Sequence, residues 1–240
     1  MKAALTCLAR LSAILVLLVC ARGLSANTVY NVVTGFSSSS NPNGVWSYDY
    51  NGGAYLDTQG YSNLNGTGLP GWWTGQGLPN SLIIAQNVTG STFSSSTVTV
   101  PTGALWLDPE SGNVSVVFTA PSAGTYTIAG DFFGVDSYEN SHPVEILDDG
   151  SVVFSGTLSS YGQNDPFGFA ETLAAGDTIS FYVGTGSTGC SYCDLGTGLY
   201  GTITESSSSS STPEPGTLTL LGSGLLGLAA LSRSKLFGAS

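Results

Sequence analysis

The sequence predicts an all-β protein built around a single β-sandwich of jelly-roll type. Short runs of alternating or β-branched residues recur through the middle of the chain, and Gly, Pro, Asn and Asp separate them. No stretch of this region combines a helical period with capping residues. Removing a segment at each end of the 240-residue chain leaves roughly 180 residues, which is enough for one domain with a sizeable core.

The first 26 residues are predicted to be a secretory signal peptide. Lys2 and Arg10 supply the positive region, and Leu11–Val19 supplies the apolar region. Small residues follow, and we place the cleavage after Ala26. The ectodomain then covers residues 27–204.

Ten short strands are predicted in the ectodomain. Turn residues separate them, and Asp149-Gly150 between two apolar runs is a strong hairpin signal. The predicted strands are Thr28–Val33, Val45–Tyr50, Leu82–Gln86, Ser96–Val100, Val114–Ala120, Thr125–Phe133, Val144–Leu147, Val152–Leu158, Thr178–Val183 and Leu199–Thr204. Ten strands on one core indicate two stacked sheets.

The charges are distributed very unevenly along the chain. All five basic residues lie in or beside the terminal segments, and none lies between Asn27 and Thr212. Of the sixteen acidic residues only Glu214 lies outside that interval, so the interval carries 16 − 1 = 15 negative charges. Nucleic-acid binding is excluded, because it needs basic side chains against phosphate.

A polar linker and an apolar tail follow the ectodomain. Residues 205–212 (ESSSSSST) are a low-complexity spacer. Residues 213–237 begin with Pro213-Glu214-Pro215 and continue into a Leu- and Gly-rich run with a predicted transmembrane helix over about 216–232. Arg233 and Lys235 form the basic end, on the cytoplasmic side.

This tail resembles the PEP-CTERM sorting signal of bacterial surface proteins over PEPGTLTLLGSGLLGLAAL and the basic residues that follow. The resemblance implies that a membrane-embedded exosortase recognises Pro213, Glu214 and Pro215 and processes the tail. The membrane would hold the precursor through the C-terminal helix until then. The basic end departs from the family pattern, because it has only Arg233 and Lys235 before LFGAS. The alternative is a plain C-terminal anchor.

Three stretches of the ectodomain also resemble known proteins. Asn41–Tyr50, Val114–Asp136 and Ala174–Gly184 are similar to a β-sandwich ectodomain that recurs in exosortase-sorted proteins. Their TAPxxGTY and GDTIxFxV phrases are similar to those of carbohydrate-binding sandwich modules. The resemblance implies a fold and assigns no ligand.

Cys190 and Cys193 remain after signal-peptide removal and form a lone CxxC in a Gly-rich exported segment. We expect a local disulfide, with a redox-active pair as the alternative. His142 is the only histidine, so a histidine-based triad would depend on this one residue.

Two candidate binding sites come from residue type. Trp72 and Trp73, flanked by Gly and Pro, are a candidate sugar-binding platform. Asp131, Asp136 and Glu139 are candidate calcium ligands at a strand end and in the next loop, since calcium takes hard oxygen ligands.

We therefore expect an exported protein of the cell surface or of an extracellular polysaccharide matrix. Its ectodomain would be a non-enzymatic structural or sugar-binding module. The alternative is a secreted glycoside hydrolase, or another polysaccharide-active enzyme, that uses two carboxylates.

Overall fold

Two antiparallel sheets and a separate hairpin make up the ectodomain in the computed structural model. The structure describes residues 26–54, 67–74, 82–109, 112–186, 194–206, 222, 224 and 225. Its strands are β1 (Thr28–Asn31), β2 (Trp46–Tyr50), β3 (Gly53–Ala54), β4 (Gly71–Trp73), β5 (Ile83–Gln86), β6 (Phe93–Ser95), β7 (Val98–Val100), β8 (Leu105–Asp108), β9 (Asn113–Thr119), β10 (Gly124–Gly134), β11 (His142–Asp148), β12 (Ser151–Leu158), β13 (Asn164–Leu173), β14 (Thr178–Gly184) and β15 (Thr197–Glu205).

The first sheet has seven strands in the order β13-β10-β15-β8-β5-β4, and β1 also pairs with β15. Strands β8 and β1 lie end to end along β15, because β8 pairs with Thr197–Leu199 and β1 with Thr202–Glu205. The second sheet has six strands in the order β12-β11-β14-β9-β2-β3. The all-β sandwich expected from the sequence is confirmed.

The inner faces of the two sheets form the main core. Alternate residues of the long strands meet there, among them Tyr126, Ile128 and Phe132 of β10 and Phe181 of β14, all fully buried. Aromatic rings contact one another across this space, for example Phe118 and Tyr126 with centroids 5.7 Å apart. The regular alternation along each strand is therefore the pattern that specifies the sandwich.

A second core lies on the outer face of the seven-stranded sheet. There the hairpin of β6 and β7 packs on Ile83, Trp106 and Phe133. Strand β8 is consequently buried on both faces, with Leu105 and Leu107 in the main core and Trp106 in the second.

The predicted hairpin between β11 and β12 is confirmed. Asp149 and Gly150 both have positive φ, 44° and 82°, as a two-residue turn of type I′ requires. Strand β15 extends to Glu205, one residue beyond the ectodomain boundary predicted from the sequence.

The described strands all belong to one unit, Ala26–Ser207, and the second unit comprises Met1–Ser25 and Ser208–Ser240. The predicted signal peptide and nearly all of the predicted transmembrane helix lie outside the described residues. Among the residues that are described, no helix is long and apolar enough to span a membrane.

Candidate functional site

Polar side chains are buried at one end of the sandwich, which we call the loop end. Strands β8 and β10 finish there, and β11 and β15 begin there. Six polar or charged side chains are buried among the described residues. Five of them lie at the loop end, namely Asp108, Asp136, Glu139, His142 and Thr197. Because a buried polar group costs free energy unless it is hydrogen-bonded, this concentration marks the candidate site.

His142 connects the start of β11 to the start of β15. Its Nδ1 donates to the carbonyl oxygen of Asn140 at 2.8 Å, so Nδ1 carries a proton. Its Nε2 lies 2.7 Å from Oγ1 of Thr197 and accepts the hydroxyl proton. Burial lowers the pKa of His142, which favours the neutral ring.

Glu139 lies beside His142 in the same buried environment. Its Oε2 accepts from the backbone N–H of Asp136 at 3.0 Å. Its Oε1 lies 3.5 Å from Nδ1 of His142 and has no hydrogen-bond partner. Burial raises the pKa of Glu139 to about 9, and the charges of Asp136 and Asp108 also raise it. The carboxyl is therefore protonated at neutral pH, and Glu139 and His142 form a neutral pair.

Asp136 fixes the loop that follows β10. Its Oδ1 accepts from the backbone N–H of Tyr138 and its Oδ2 from the hydroxyl of Thr97, both at 2.9 Å. The backbone N–H of Ser137 donates to the carbonyl of Thr97 at 2.9 Å. The loop over residues 135–141 is thus attached to the hairpin through Thr97, and Glu139 holds it together from within through the N–H of Asp136. Tyr138, in the middle of this loop, is 71% exposed.

A second loop with an exposed tyrosine joins the first at Gly134. The N–H of Gly134 donates to the carbonyl of Gln163 at 3.0 Å, and the N–H of Gly162 donates back to Gly134 at 2.9 Å. A Cβ at position 134 would lie 2.4 Å from the carbonyl oxygen of Ser160, so this approach requires glycine. Tyr161, at the tip of the second loop, is 53% exposed.

The order Thr197, His142, Glu139 resembles that of a nucleophile, a base and an acid. However, Nδ1 of His142 donates to a backbone carbonyl rather than to the carboxyl. All three side chains are also removed from solvent. In this arrangement the three residues hold the loop in place and present no accessible nucleophile.

The three candidate calcium ligands do not come together as a metal site. Asp131 lies on β10 opposite Tyr200, whereas the oxygens of Asp136 and Oε2 of Glu139 already accept hydrogen bonds from loop residues. Within the described part of the chain, no group of three His, Cys, Asp or Glu side chains is arranged to hold a metal ion.

Trp72 and Trp73 do not form a shared platform, because neighbouring residues of a strand face opposite sides of the sheet. Trp72 is only 3% exposed and donates through Nε1 to the carbonyl of Ser37 at 2.7 Å. The prediction of a sugar platform is wrong for Trp72, which belongs to the main core. Trp73 is partly buried and packs on the second core.

The other predicted site residues lie outside the described residues. These are the cysteines of the predicted disulfide, the sorting tripeptide and the basic end of the tail, that is Cys190, Cys193, Pro213, Glu214, Pro215, Arg233 and Lys235. The disulfide stays a prediction.

Sequence reasoning missed the two exposed tyrosines and the role of His142. It identified the acidic loop after β10 but interpreted its carboxylates as metal ligands. The available signal was Tyr138 itself, an aromatic residue in an acidic loop. Whether Tyr138 is exposed depends on which neighbouring side chains are buried. The sequence of a loop does not show which of its side chains are buried.

Comparison with known proteins identifies the class of protein through the tail. Residues 211–234 match the PEP-CTERM protein-sorting motif, which overlaps the tail resemblance described from the sequence. The chain carries this motif, which indicates an exported protein made as a membrane-anchored precursor and sorted to the cell surface.

A comparison with curated proteins finds no match. Among solved structures, the chain is similar to a family 35 carbohydrate binding module from Clostridium thermocellum, with 15% identity over 47% of this chain and 84% of that one and a TM-score of 0.30. The chain is also similar to CBM51 from Clostridium perfringens, in complex with methyl-galactose. The identity is 14% over 48% of this chain and 84% of that one, with a TM-score of 0.33. A third similar structure is the K1 cleaved adhesin domain of Lys-gingipain from Porphyromonas gingivalis. The identity is 9% over 76% of this chain and 99% of that one, with a TM-score of 0.34. No ligand follows for this chain from similarities at this level.

Proposed function

We propose that this protein is an exosortase-processed component of the cell surface or the extracellular matrix, whose ectodomain binds a neutral polysaccharide without cleaving it. One observation at the loop end carries the binding part of the proposal. Tyr138 is 71% exposed, while Asp136 and Glu139 beside it are 3% and 9% exposed. A rigid loop that presents an aromatic ring to solvent is a suitable contact for a sugar.

The direction of β15 supports this assignment. The strand begins at Thr197 in the loop end and finishes at Glu205. Its nine residues span roughly 25–30 Å. The chain continues from Glu205 into the linker and the sorting motif, so the tether starts at the end of the sandwich opposite Tyr138 and Tyr161. The loop end is therefore not the end at which the chain leaves the sandwich.

The charge of the ectodomain argues against an anionic ligand. Fifteen acidic residues lie between Asn27 and Thr212, with no Lys or Arg. A polyanion would be repelled and would find no cationic partner. Uncharged hydroxyl groups can bind to this surface through hydrogen bonds and ring stacking.

Replacing Pro213-Glu214-Pro215 by three alanines tests the sorting part. The substitution removes the peptide that the exosortase would recognise. An ordinary membrane anchor would tolerate it, because such an anchor needs only length and apolarity. We expect export to continue and the precursor to accumulate in the membrane of an exosortase-bearing host, at a higher mass than the processed protein. Mass spectrometry of the C-terminal peptide makes the measurement. If unchanged protein and the variant both retain Leu218–Lys235, the tail is only an anchor.

Affinity electrophoresis of the exported protein in gels that contain hydroxyethylcellulose, galactomannan, dextran or alginate tests the binding part. We expect retardation by at least one neutral polymer and none by anionic alginate. Tyr138→Ala and Tyr161→Ala should reduce the retardation. Val29→Ala is the control, because Val29 is 59% exposed and pairs with Thr204 near the opposite end. Retardation by alginate alone, or by no polymer, would contradict the proposal, and release of reducing sugars would favour the hydrolase.

A further inference from the structure

Tyr200 is an exposed aromatic residue on the outer face of the seven-stranded sheet, away from both loops. It lies in β15 directly opposite Asp131 of β10, and its side chain is 37% exposed. Position 200 is the fourth residue of β15. It is therefore roughly 10 Å along the strand from the loop end.

The ring of Tyr200 is held in one orientation. It stacks on Phe133 with centroids 5.2 Å apart and an interplanar angle of 24°. Phe133 is 7% exposed and lies over Gly198, where a Cβ would be 2.1 Å from the Phe133 ring. The hydroxyl of Tyr200 donates to the carbonyl of Thr102 at 3.3 Å. Phe133 covers one face of the Tyr200 ring, and the rest of the side chain accounts for its exposure to solvent.

The sheet surface on the side of Tyr200 away from the loop end is low. The next row across β13, β10 and β15 consists of Gly168, Ala129 and Thr202. Gly168 and Ala129 are exposed and Thr202 is half-buried. No bulky side chain of this row stands against the ring. A flat ligand ring can thus lie on Tyr200 while its hydroxyls reach the Thr202 side chain.

We propose that Tyr200 is a second stacking platform for the neutral polysaccharide, so that the protein binds the interior of a polymer rather than a single terminal sugar. This inference rests on the proposed function. An immobilised ring loses little conformational freedom when a ligand stacks on it. Asp131 beside the ring repels anionic sugars, in agreement with the charge of the whole ectodomain.

Two platforms on one chain make binding depend on ligand length. A polymer that contacts Tyr200 and the loop end at once gains from the second contact without a second association step. A monosaccharide reaches only one platform. The affinity of the exported protein should therefore rise with oligosaccharide length until both platforms are occupied.

The test uses the exported protein and the neutral polymer that retards it most, together with a size series of oligosaccharides of the same sugar. Tyr200→Phe keeps the ring and removes only the hydroxyl. Tyr200→Ile keeps an apolar contact with Phe133 and removes the flat ring. We expect Tyr200→Phe to bind the polymer within about twofold of the unchanged protein and Tyr200→Ile to bind roughly tenfold more weakly. The length dependence should disappear in Tyr200→Ile.

The outcomes separate the two proposals. If Tyr200→Ile binds the polymer as well as the unchanged protein does, while Tyr138→Ala is impaired, the second platform is wrong and the proposed function stands. If the unchanged protein binds no neutral polymer, both fail. Thermal unfolding of each variant checks the fold. Equal weakening of Tyr200→Phe and Tyr200→Ile would also overturn the stacking role, because the ring would then not be the recognised group.

Discussion

Nδ1 of His142 and Oε1 of Glu139 lie 3.5 Å apart, and both side chains are completely removed from solvent. No Lys or Arg exists in the ectodomain to compensate the carboxyl. Burial raises the pKa of Glu139 and lowers that of His142. The contact is consequently one between two neutral groups, and it places the loop with Tyr138.

Glu139→Gln is expected to stabilise the protein above pH 5. A pKa raised to about 9 in the folded state, against about 4.5 in the unfolded state, means that stability is fully present below pH 4.5 and is lost as pH rises. The amide does not ionise, so the gain should be near zero at pH 4.5 and up to about 3 kcal/mol at pH 7. Urea unfolding at pH 4.5, 7 and 9 measures it. Destabilisation by the variant at pH 7 would indicate an ion pair with His142 instead.

Thr197→Val is expected to destabilise the protein by about 1–3 kcal/mol, because it leaves Nε2 of the buried His142 without its partner. Thr197→Ser keeps the hydroxyl and is the matched control, with a smaller effect. Thermal unfolding at pH 8, where His142 is neutral in both states, makes the comparison. No loss of stability in Thr197→Val, which keeps a methyl group at this position, would show that the hydrogen bond to His142 does not contribute.

The whole ectodomain is expected to gain stability on mild acidification. Burial raises the pKa values of Asp49, Asp131, Asp148 and Asp194. A raised folded-state pKa means that stability increases as pH falls through it towards the unfolded value of about 4. Glu205 and His142 act in the opposite direction, because hydrogen bonds, that from Ser122 above all, lower the pKa of Glu205 and burial lowers the pKa of His142.

We therefore expect a higher unfolding temperature at pH 5 than at pH 8. Adding salt at pH 8 should also raise it, because salt screens the repulsion between carboxylates. Differential scanning calorimetry across this range provides the measurement. A steady fall in the unfolding temperature from pH 8 to pH 5 would be inconsistent with a domain that has few ion pairs to lose.

Trp72→Ala is expected to cost about 3–5 kcal/mol, because it leaves a cavity in the main core and orphans the carbonyl of Ser37. Trp73→Ala should cost clearly less, since Trp73 is only partly buried. Trp72→Phe is the intermediate control. Urea unfolding of the three variants gives the order, and equal costs for the two alanine variants would contradict the assignment of the pair to opposite faces.

Two of the strands that sequence reasoning missed have different physical explanations. Strand β8 is short and buried on both faces, so it shows no alternation. Strand β13 contains Pro166 and Gly168 and reads as a loop. Pro is tolerated there because β13 is an edge strand of its sheet. The long alternating strands β9, β10 and β14 were predicted, because each buries one face against the core.

The sequence by itself determined the all-β class, the confirmed hairpin at Asp149-Gly150, the absence of cations between Asn27 and Thr212, and the sorting motif. Each of these depends on residue type or on local spacing. Only the tertiary structure decided that Trp72 is a core residue, that Glu139 and His142 are buried together, and that Tyr138, Tyr161 and Tyr200 are exposed. Burial results from contacts between residues distant in sequence. His142 meets Thr197 across 55 positions, and no local pattern contains that information.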